Sequence, residues 1–371
     1  MNQYLKCYQV VMRTVGPVFI GSGREIGKKE YLVLNRKQAG IPDIQLLYAE
    51  LKKKKKEAAF EEYLLGKGNI SLSEWLERQR MNVTALDSMI KYKLECGDAL
   101  LDKGANRLQI LECIKDAYGM PYIPGSSLKG MFRTILLGAD IISNSDKYQN
   151  QRKNMYQNSN MNASRLSYLK KDIKDIESAA FRTLNRPESR PKDAVNDILQ
   201  GLIISDSEPL STDALVLCQK IDIHTDGREK ALPILRECIK PDMEIRFTMT
   251  VDTSICKLSG KLLMEAVKRF MDSYYNNFVR AFKGMDVPKD TYVLCGGGGG
   301  FASKTIIYPM YGKKEGIEVI QRVFDKTKVP RVHKHDRDKQ YGVSPHTIKC
   351  TRYQGKLFQM GVCSVEKIKV V

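Results

Sequence analysis

The stretch Met243-Glu244-Ile245-Arg246-Phe247-Thr248-Met249-Thr250-Val251-Asp252 alternates without error. Met243, Ile245, Phe247, Met249 and Val251 fall on one side, and Glu244, Arg246, Thr248 and Thr250 on the other. A period of two over this length predicts a strand with one buried and one wet face, the pattern of an antiparallel sheet covered on a single side. Before it, 202–204 and 215–223 also read as strands. After it come a long helix over 260–282, a strand over 292–295, five consecutive glycines and a helix over about 316–325.

The N-terminal part has the same mixture. Tyr8, Val10 and Met12 alternate with polar neighbours, Gly16-Pro17 breaks the run, and a second strand is expected over 31–35. A helix over about 44–54 follows. Ser71 with Glu74, and Thr84 with Asp87, carry the capping-box signature of helix starts. A strand over 107–115 then turns into a helix reaching Leu137. Strands interleaved with helices in both parts predict an α+β fold with two domains of the split βαβ, ferredoxin-like type. Between 143 and 164, 13 of 22 residues are Asn, Gln or Ser, a composition expected of a mobile insertion. The apolar stripe Leu166, Leu169, Ile173, Ile176 then predicts a helix over about 164–185. The expected division is a domain over 1–142 with a helical insertion at about 44–92, a flexible insertion and helical linker over 143–200, and a second domain over 201–371.

The chain has 371 residues, with 61 Lys+Arg against 43 Asp+Glu and a net charge of +18. Such an excess attracts a polyanion, and nucleic acid is the default candidate. From Phe301 onward there are 15 Lys+Arg and 6 Asp+Glu, so half the excess lies in the last 71 residues. The run Lys52-Lys53-Lys54-Lys55-Lys56 reads as a solvated helix end, where cations suit the dipole. No apolar run is long enough to span a bilayer, and the N-terminus lacks the pattern of a signal peptide. Nine cysteines with no C-x-x-C fit neither a disulfide framework nor a zinc ribbon; most sit in apolar segments and read as small core residues. A reducing, cytoplasmic setting is expected, with no membrane partner.

Three glycine turns close predicted strands: Gly21-Ser22-Gly23, Gly125-Ser126-Ser127-Leu128-Lys129-Gly130, and Gly296-Gly297-Gly298-Gly299-Gly300. Glycine lets backbone N–H groups approach a ligand closely. In the second turn Ser126 and Ser127 fit a helix N-cap, and Lys129 and Arg133, four apart, share a helix face, a constellation suited to phosphate. In the third, Gly298 to Thr305 is one residue from a P-loop, with Ser303 where glycine is required; the one apolar run ending in Asp, 202–206, precedes it, so a nucleoside triphosphatase is not expected. Phe301 and Lys304 are expected to stack on bases and contact phosphate. For catalysis the inventory is thin. His224 lies between Asp222 and Asp226, and His333 and His335 with Asp336 and Asp338 sit in a basic segment with no standard metal-site spacing. No catalytic residue, metal site or cofactor is therefore assigned.

Val15-Gly16-Pro17-Val18-Phe19-Ile20-Gly21-Ser22-Gly23, Tyr122-Ile123-Pro124-Gly125-Ser126-Ser127-Leu128-Lys129-Gly130 with Arg133, and the five-glycine loop before Phe301 together resemble the RAMP superfamily of CRISPR proteins. Ile203-Ile204-Ser205-Asp206-Ser207, Gln219-Lys220-Ile221-Asp222, Arg236-Glu237-Cys238, 301–305 and the segment from His346 resemble the RAMP subunit that caps the crRNA 3′ end in type III-A (Csm) effector complexes. The resemblance implies two modified RRM (ferredoxin-like) domains that grip guide RNA by its backbone. It also implies a non-catalytic role in crRNA 3′-end maturation and complex assembly. The implied partners are crRNA, neighbouring RAMP backbone and small subunits of the Csm complex, and host exoribonucleases. By position, Gly125, Ser126, Ser127, Lys129, Arg133, Gly21, Ser22, Gly23, Gly297, Gly298, Gly299, Phe301 and Lys304 are the expected RNA contacts. No RNP-type aromatic signature is present, so base stacking on sheet aromatics is not expected. The alternative is a metal-dependent or acid/base ribonuclease that trims crRNA itself, using His224 or His333, His335 and Asp336.

Overall fold

The alternating stretch forms the strand Glu244–Asp252 in the computed structural model, which describes residues 4–35, 37–99, 109–161, 164, 167–327 and 335–371. Ile245, Phe247, Met249 and Val251 are at most 4% exposed. Each such side chain contributes about 1.5–3 kcal/mol of transfer free energy. The strand pairs antiparallel with Leu5–Thr14, Val10 opposite Phe247 and Met12 opposite Ile245, and on its other side with Leu202–Ile204. The sheet order is Tyr292–Leu294, Val362–Val370, Leu5–Thr14, Glu244–Asp252, Leu202–Ile204, antiparallel throughout. Helices Gly125–Ser143, Gly260–Asn277 and Ile307–Lys326 share the core with its apolar face, with the Phe132 and Phe247 rings 6.4 Å apart.

A second sheet has nine strands among the described residues. Its main path runs Gly21–Ile26, Gln109–Cys113, Glu229–Ile239, Leu215–His224, Ile90–Glu95, Gln38–Pro42, Leu32–Asn35. The hairpin Thr347–Tyr353 and Lys356–Gln359 attaches to Leu215–His224. The α+β class with two sheets is as expected. The sheets do not divide at the expected boundaries, however, since residues from 1–142 and from 201–371 contribute strands to both. The first strand, Leu5–Thr14, lies beside the last, Val362–Val370, because both bury apolar residues on the same face.

The helical insertion has its own small core. Helices Ile44–Lys53, Glu57–Leu65 and Leu72–Arg78 bury Leu47, Leu51, Phe60, Leu72, Trp75 and Leu76 together. Ser71 caps the third as its signature predicts, accepting from Glu74 N at 3.2 Å, and the lysines from 52 to 55 are exposed. The Asn/Gln-rich segment departs from expectation. Where described, it forms a turn and the helix Gln149–Asn158. Tyr148 and Met155 are buried, and Tyr156 and Arg152 reach Glu318 and Glu315 of Ile307–Lys326, each at 2.7 Å. Four side chains at helical spacing suffice to dock an otherwise amide-rich helix. Its successor is Lys170–Phe181; Leu166 of the predicted stripe lies outside the described residues. All nine cysteines are free and all but Cys7 buried, as small core residues should be. Among the described residues no helix is long and apolar enough to cross a membrane.

Candidate nucleic-acid interface

Helix Gly125–Ser143 starts differently from its sequence reading. Pro124 occupies the N-cap position, and neither Ser126 nor Ser127 caps the helix. The Gly125 N–H is instead taken by Asp206 Oδ1 at 2.7 Å. Gly125 is required here because a Cβ would stand 2.2 Å from the Ile204 carbonyl oxygen. A carboxylate at the positive end of the dipole neutralises the site and opposes a second anion. The cations are also engaged internally. Arg133 pairs with Asp197 at 2.9 Å and Glu177 at 3.5 Å and lies over the Phe181 ring at 4.5 Å. Lys129 donates to the Leu202 carbonyl at 2.7 Å, and burial lowers its pKa from the usual lysine value. The i, i+4 spacing does place both on one face, but that face turns to the protein's own acids 44 and 64 residues away in sequence. The pair does not form a free phosphate cradle.

The three glycine loops nonetheless meet. Gly21, Ser127, Gly130, Gly296, Gly297 and Lys304 line one cleft of about 300 Å³. The five-glycine loop is fastened to the first loop by the Gly297 N–H donating to the Phe19 carbonyl at 2.6 Å. At Gly296 a Cβ would stand 2.4 Å from that same oxygen, and φ is +74°, so only glycine fits. Ser22 donates to Glu112 at 3.1 Å, while Gly23 is exposed. Phe301 is half-buried, edge-on to Phe324 at 5.1 Å, and packs on the core instead of standing as an open stacking platform. Lys304 is exposed with no ion pair among the described residues.

Past Gly297 the loop turns through Gly298 (φ +104°) and Gly300 (φ +87°). The N–H groups of Gly298, Gly299 and Gly300 donate to no protein acceptor among the described residues. Consecutive free amides in alternating backbone conformations make an anion-binding concavity. Cations border it. A Gly298 Cβ would lie 3.2 Å from Arg236 Nη1, and a Gly300 Cβ 3.0 Å from Lys349 Cγ. Arg236 lies over the Phe19 ring at 5.3 Å, and its Nε is buried without a partner. Lys349 holds Asp222 at 2.8 Å, while Lys220 makes no ion pair among the described residues. Burial, then the charges of Lys349 and Arg236, push Lys220 below the usual lysine pKa; burial likewise lowers Arg236. Three cations share one carboxylate, so the cluster is short of negative charge. Lys220, Arg236 and Lys349 were not singled out as contacts by reading the residues alone. On the strands Leu215–His224, Glu229–Ile239 and Thr347–Tyr353, their proximity is a product of pairing, Gln219 opposite Leu235 and Lys349 opposite Asp222.

The histidines are also brought together. His335 and His346 flank the buried Asp338, with the His346 ring 4.9 Å from His335 and 5.0 Å from His224. Of the two acids expected near His335, Asp336 is exposed and Asp338 is buried against the histidines. His333 lies outside the described residues.

The RAMP superfamily model matches residues 11–369. The protein named CRISPR system Cms protein Csm5 from Mycobacterium tuberculosis is 30% identical over 392 residues, covering 98% of each chain. That of Enterococcus italicus is 29% identical over 97% of each. Among solved structures, a chain of a Csm–crRNA–target RNA ternary complex from a type III-A CRISPR-Cas system superposes with a TM-score of 0.65 at 18% identity, over 97% of this chain and 100% of that one. The crystal structure of T.onnurineus Csm5 gives 0.57 at 17% identity, over 95% and 99%. With two sheets, the glycine loops joined at one cleft and a match from residue 11 to 369, the chain belongs to the RAMP superfamily.

Proposed function

We propose that this chain is a crRNA-binding subunit of a type III-A CRISPR effector complex. It holds the 3′ region of the guide, serves crRNA 3′-end maturation and assembly with neighbouring RAMP and small subunits, and performs no chemistry itself. The relatives are Csm5 proteins, and one superposed chain belongs to a Csm–crRNA assembly. The observation that carries the reading is the counter-charge deficit at Lys220, Arg236 and Lys349 beside the unpaired amides of Gly298, Gly299 and Gly300. A phosphate supplies both the missing charge and the missing acceptors. Host exoribonucleases are the further partners of this reading.

The test is fluorescence anisotropy of labelled single-stranded guide RNA against salt, with the full chain and with the assembled complex. Each phosphate contact to a single strand contributes about −0.7 to the slope of log K against log salt. Lys220→Gln with Lys304→Gln should lower the slope by about 1.4 and weaken binding equally for unrelated RNA sequences. Gly298→Ala, forced to φ near +104°, should weaken binding as well. Unchanged affinity and slope in both variants would remove the loop from the RNA path. The alternative, an intrinsic ribonuclease, draws on the clustering of His224, His335, Asp338 and His346. Cleavage of labelled RNA by the wild type but not by His346→Gln would favour it over the non-catalytic reading.

A further inference from the structure

The chain has four histidines; two of them, His335 and His346, converge on one carboxylate, and the ring of a third, His224, lies 5.0 Å from that of His346. Asp338 is fully buried. It accepts from His335 Nδ1 at 3.0 Å, His346 Nδ1 at 2.5 Å and Ser344 Oγ at 2.5 Å. No lysine or arginine pairs with it among the described residues. The surroundings are prepared by backbone, since His346 enters the strand Thr347–Tyr353, whose Thr347 stands opposite His224. On the other side Tyr308 of Ile307–Lys326 donates to the Ser344 carbonyl at 2.6 Å, and Gln321 donates to the His335 carbonyl at 2.8 Å.

We propose that His335, Asp338 and His346 form a binding site for a divalent transition metal of the zinc class, with His224 beside it as a candidate fourth ligand. One donor atom from each of the three lies within 4.8 Å of the others. Tetrahedral zinc with bonds of about 2.0–2.1 Å needs donors about 3.4 Å apart, so closing on an ion requires movements of about an ångström. Imidazole nitrogens with one carboxylate select zinc, cobalt or nickel over magnesium or calcium, which prefer all-oxygen shells. A buried carboxylate with no lysine or arginine partner gains from a resident dication. The ion would tie Leu215–His224, the segment before Thr347–Tyr353 and the short helix Asp338–Tyr341 into one unit. This inference does not depend on the RNA reading, because the donors of the site are His335, Asp338 and His346 and none of the glycine amides.

The full chain, stripped with EDTA and dialysed, is titrated calorimetrically with zinc alone and with magnesium alone. In parallel its cobalt form is examined by visible absorption. One equivalent of zinc per chain, no magnesium binding, a raised thermal midpoint and the intense visible bands of tetrahedral cobalt are expected. His335→Gln, at the solvent edge of the cluster, should fold and weaken zinc by about tenfold or more, as should His346→Gln and Asp338→Asn. If His346→Gln and Asp338→Asn fail to fold, His335→Gln, checked by circular dichroism, decides. Zinc binding below one equivalent, or equal affinity in folded His335→Gln, would overturn the proposal, the latter by assigning the ion to a cysteine or another surface group.

Discussion

Glu237 offers a quantitative test of how the second sheet is held together. Its side chain is fully buried, yet it faces three donors: Tyr92 Oη at 2.6 Å, the Cys113 N–H at 3.0 Å and Lys115 Nζ at 2.5 Å. These come from Ile90–Glu95, from Gln109–Cys113 and from the residues just beyond it, so one carboxylate joins separate strands. Glu237→Ala leaves an ammonium only 9% exposed without its nearest counter-ion. Breaking a buried pair from one side costs about 3–5 kcal/mol, and a bare buried N–H adds about 1–3 kcal/mol. Partial compensation remains, because Lys115 keeps Glu112 at 3.6 Å, the Cys113 carbonyl at 3.3 Å and the Tyr92 ring at 4.8 Å. The expected net loss is about 4 kcal/mol, roughly a thousandfold in the folding equilibrium. Glu237→Gln keeps an acceptor and the shape but not the charge, and should lose about half as much. Urea unfolding followed by far-ultraviolet circular dichroism reads this as a midpoint shift of about 1 M or more for the alanine variant. A Glu237→Ala protein within about 1 kcal/mol of wild type would refute the assignment of this carboxylate as the sheet's buried anchor.

Arg133→Ala should cost about 1–2 kcal/mol through loss of Asp197, Glu177 and the Phe181 ring, with RNA affinity changed by less than about twofold. A tenfold affinity loss at unchanged stability would restore the helix-face phosphate site. Asp140 accepts from Lys147, Tyr148 and Asn144; burial opposes its charge, but these bonds win and hold its folded pKa below the usual Asp value. Its contribution is therefore fully present above an unfolded pKa of about 3.9 and lost as pH falls through the lower folded value. Asp140→Asn should flatten the thermal midpoint against pH below about pH 4, and an unchanged acid profile would show that the turn is held by other contacts.

How much was legible in the sequence depended on whether a signal was local. Glu244–Asp252 alternates because one face meets helices and the other water, and Ser71 caps its helix through a bond three residues long; both read directly. Glu229–Ile239 went unread because it opens on Glu229-Lys230 and carries Pro233, so its apolar period begins late. The C-terminal strand Val362–Val370 is similarly masked by Glu366, Lys367 and Lys369 on its wet face. In the site, the three glycine loops could be picked out in the sequence but their meeting at one cleft could not, nor could the occupancy of Arg133, because Asp197 and Glu177 become its neighbours only after folding. Asp336 and Asp338 both stand in the basic stretch after His335, and only the fold decides between them: His335 lies a helical three residues before Asp338, whereas His346, eight residues on, reaches Asp338 only after folding.

Arg236 and Glu237 show why charge in this chain must be assigned by strand face and not by sequence density. They are adjacent, and a strand sends adjacent side chains to opposite faces. Glu237 therefore turns into the sheet's covered side, where it meets a lysine and two further donors. Arg236 turns to the Phe19 ring and Gly298, where the neighbouring charges are Lys220, Lys349 and a single aspartate already held at 2.8 Å. Residue pairing alone thus separates a satisfied buried charge from an unsatisfied one within one dipeptide. The large basic excess of the C-terminal residues does not make that distinction, since most of those cations are solvated or paired. A phosphate is attracted by the whole field, but it is positioned by the few cations that the fold has left without an anion.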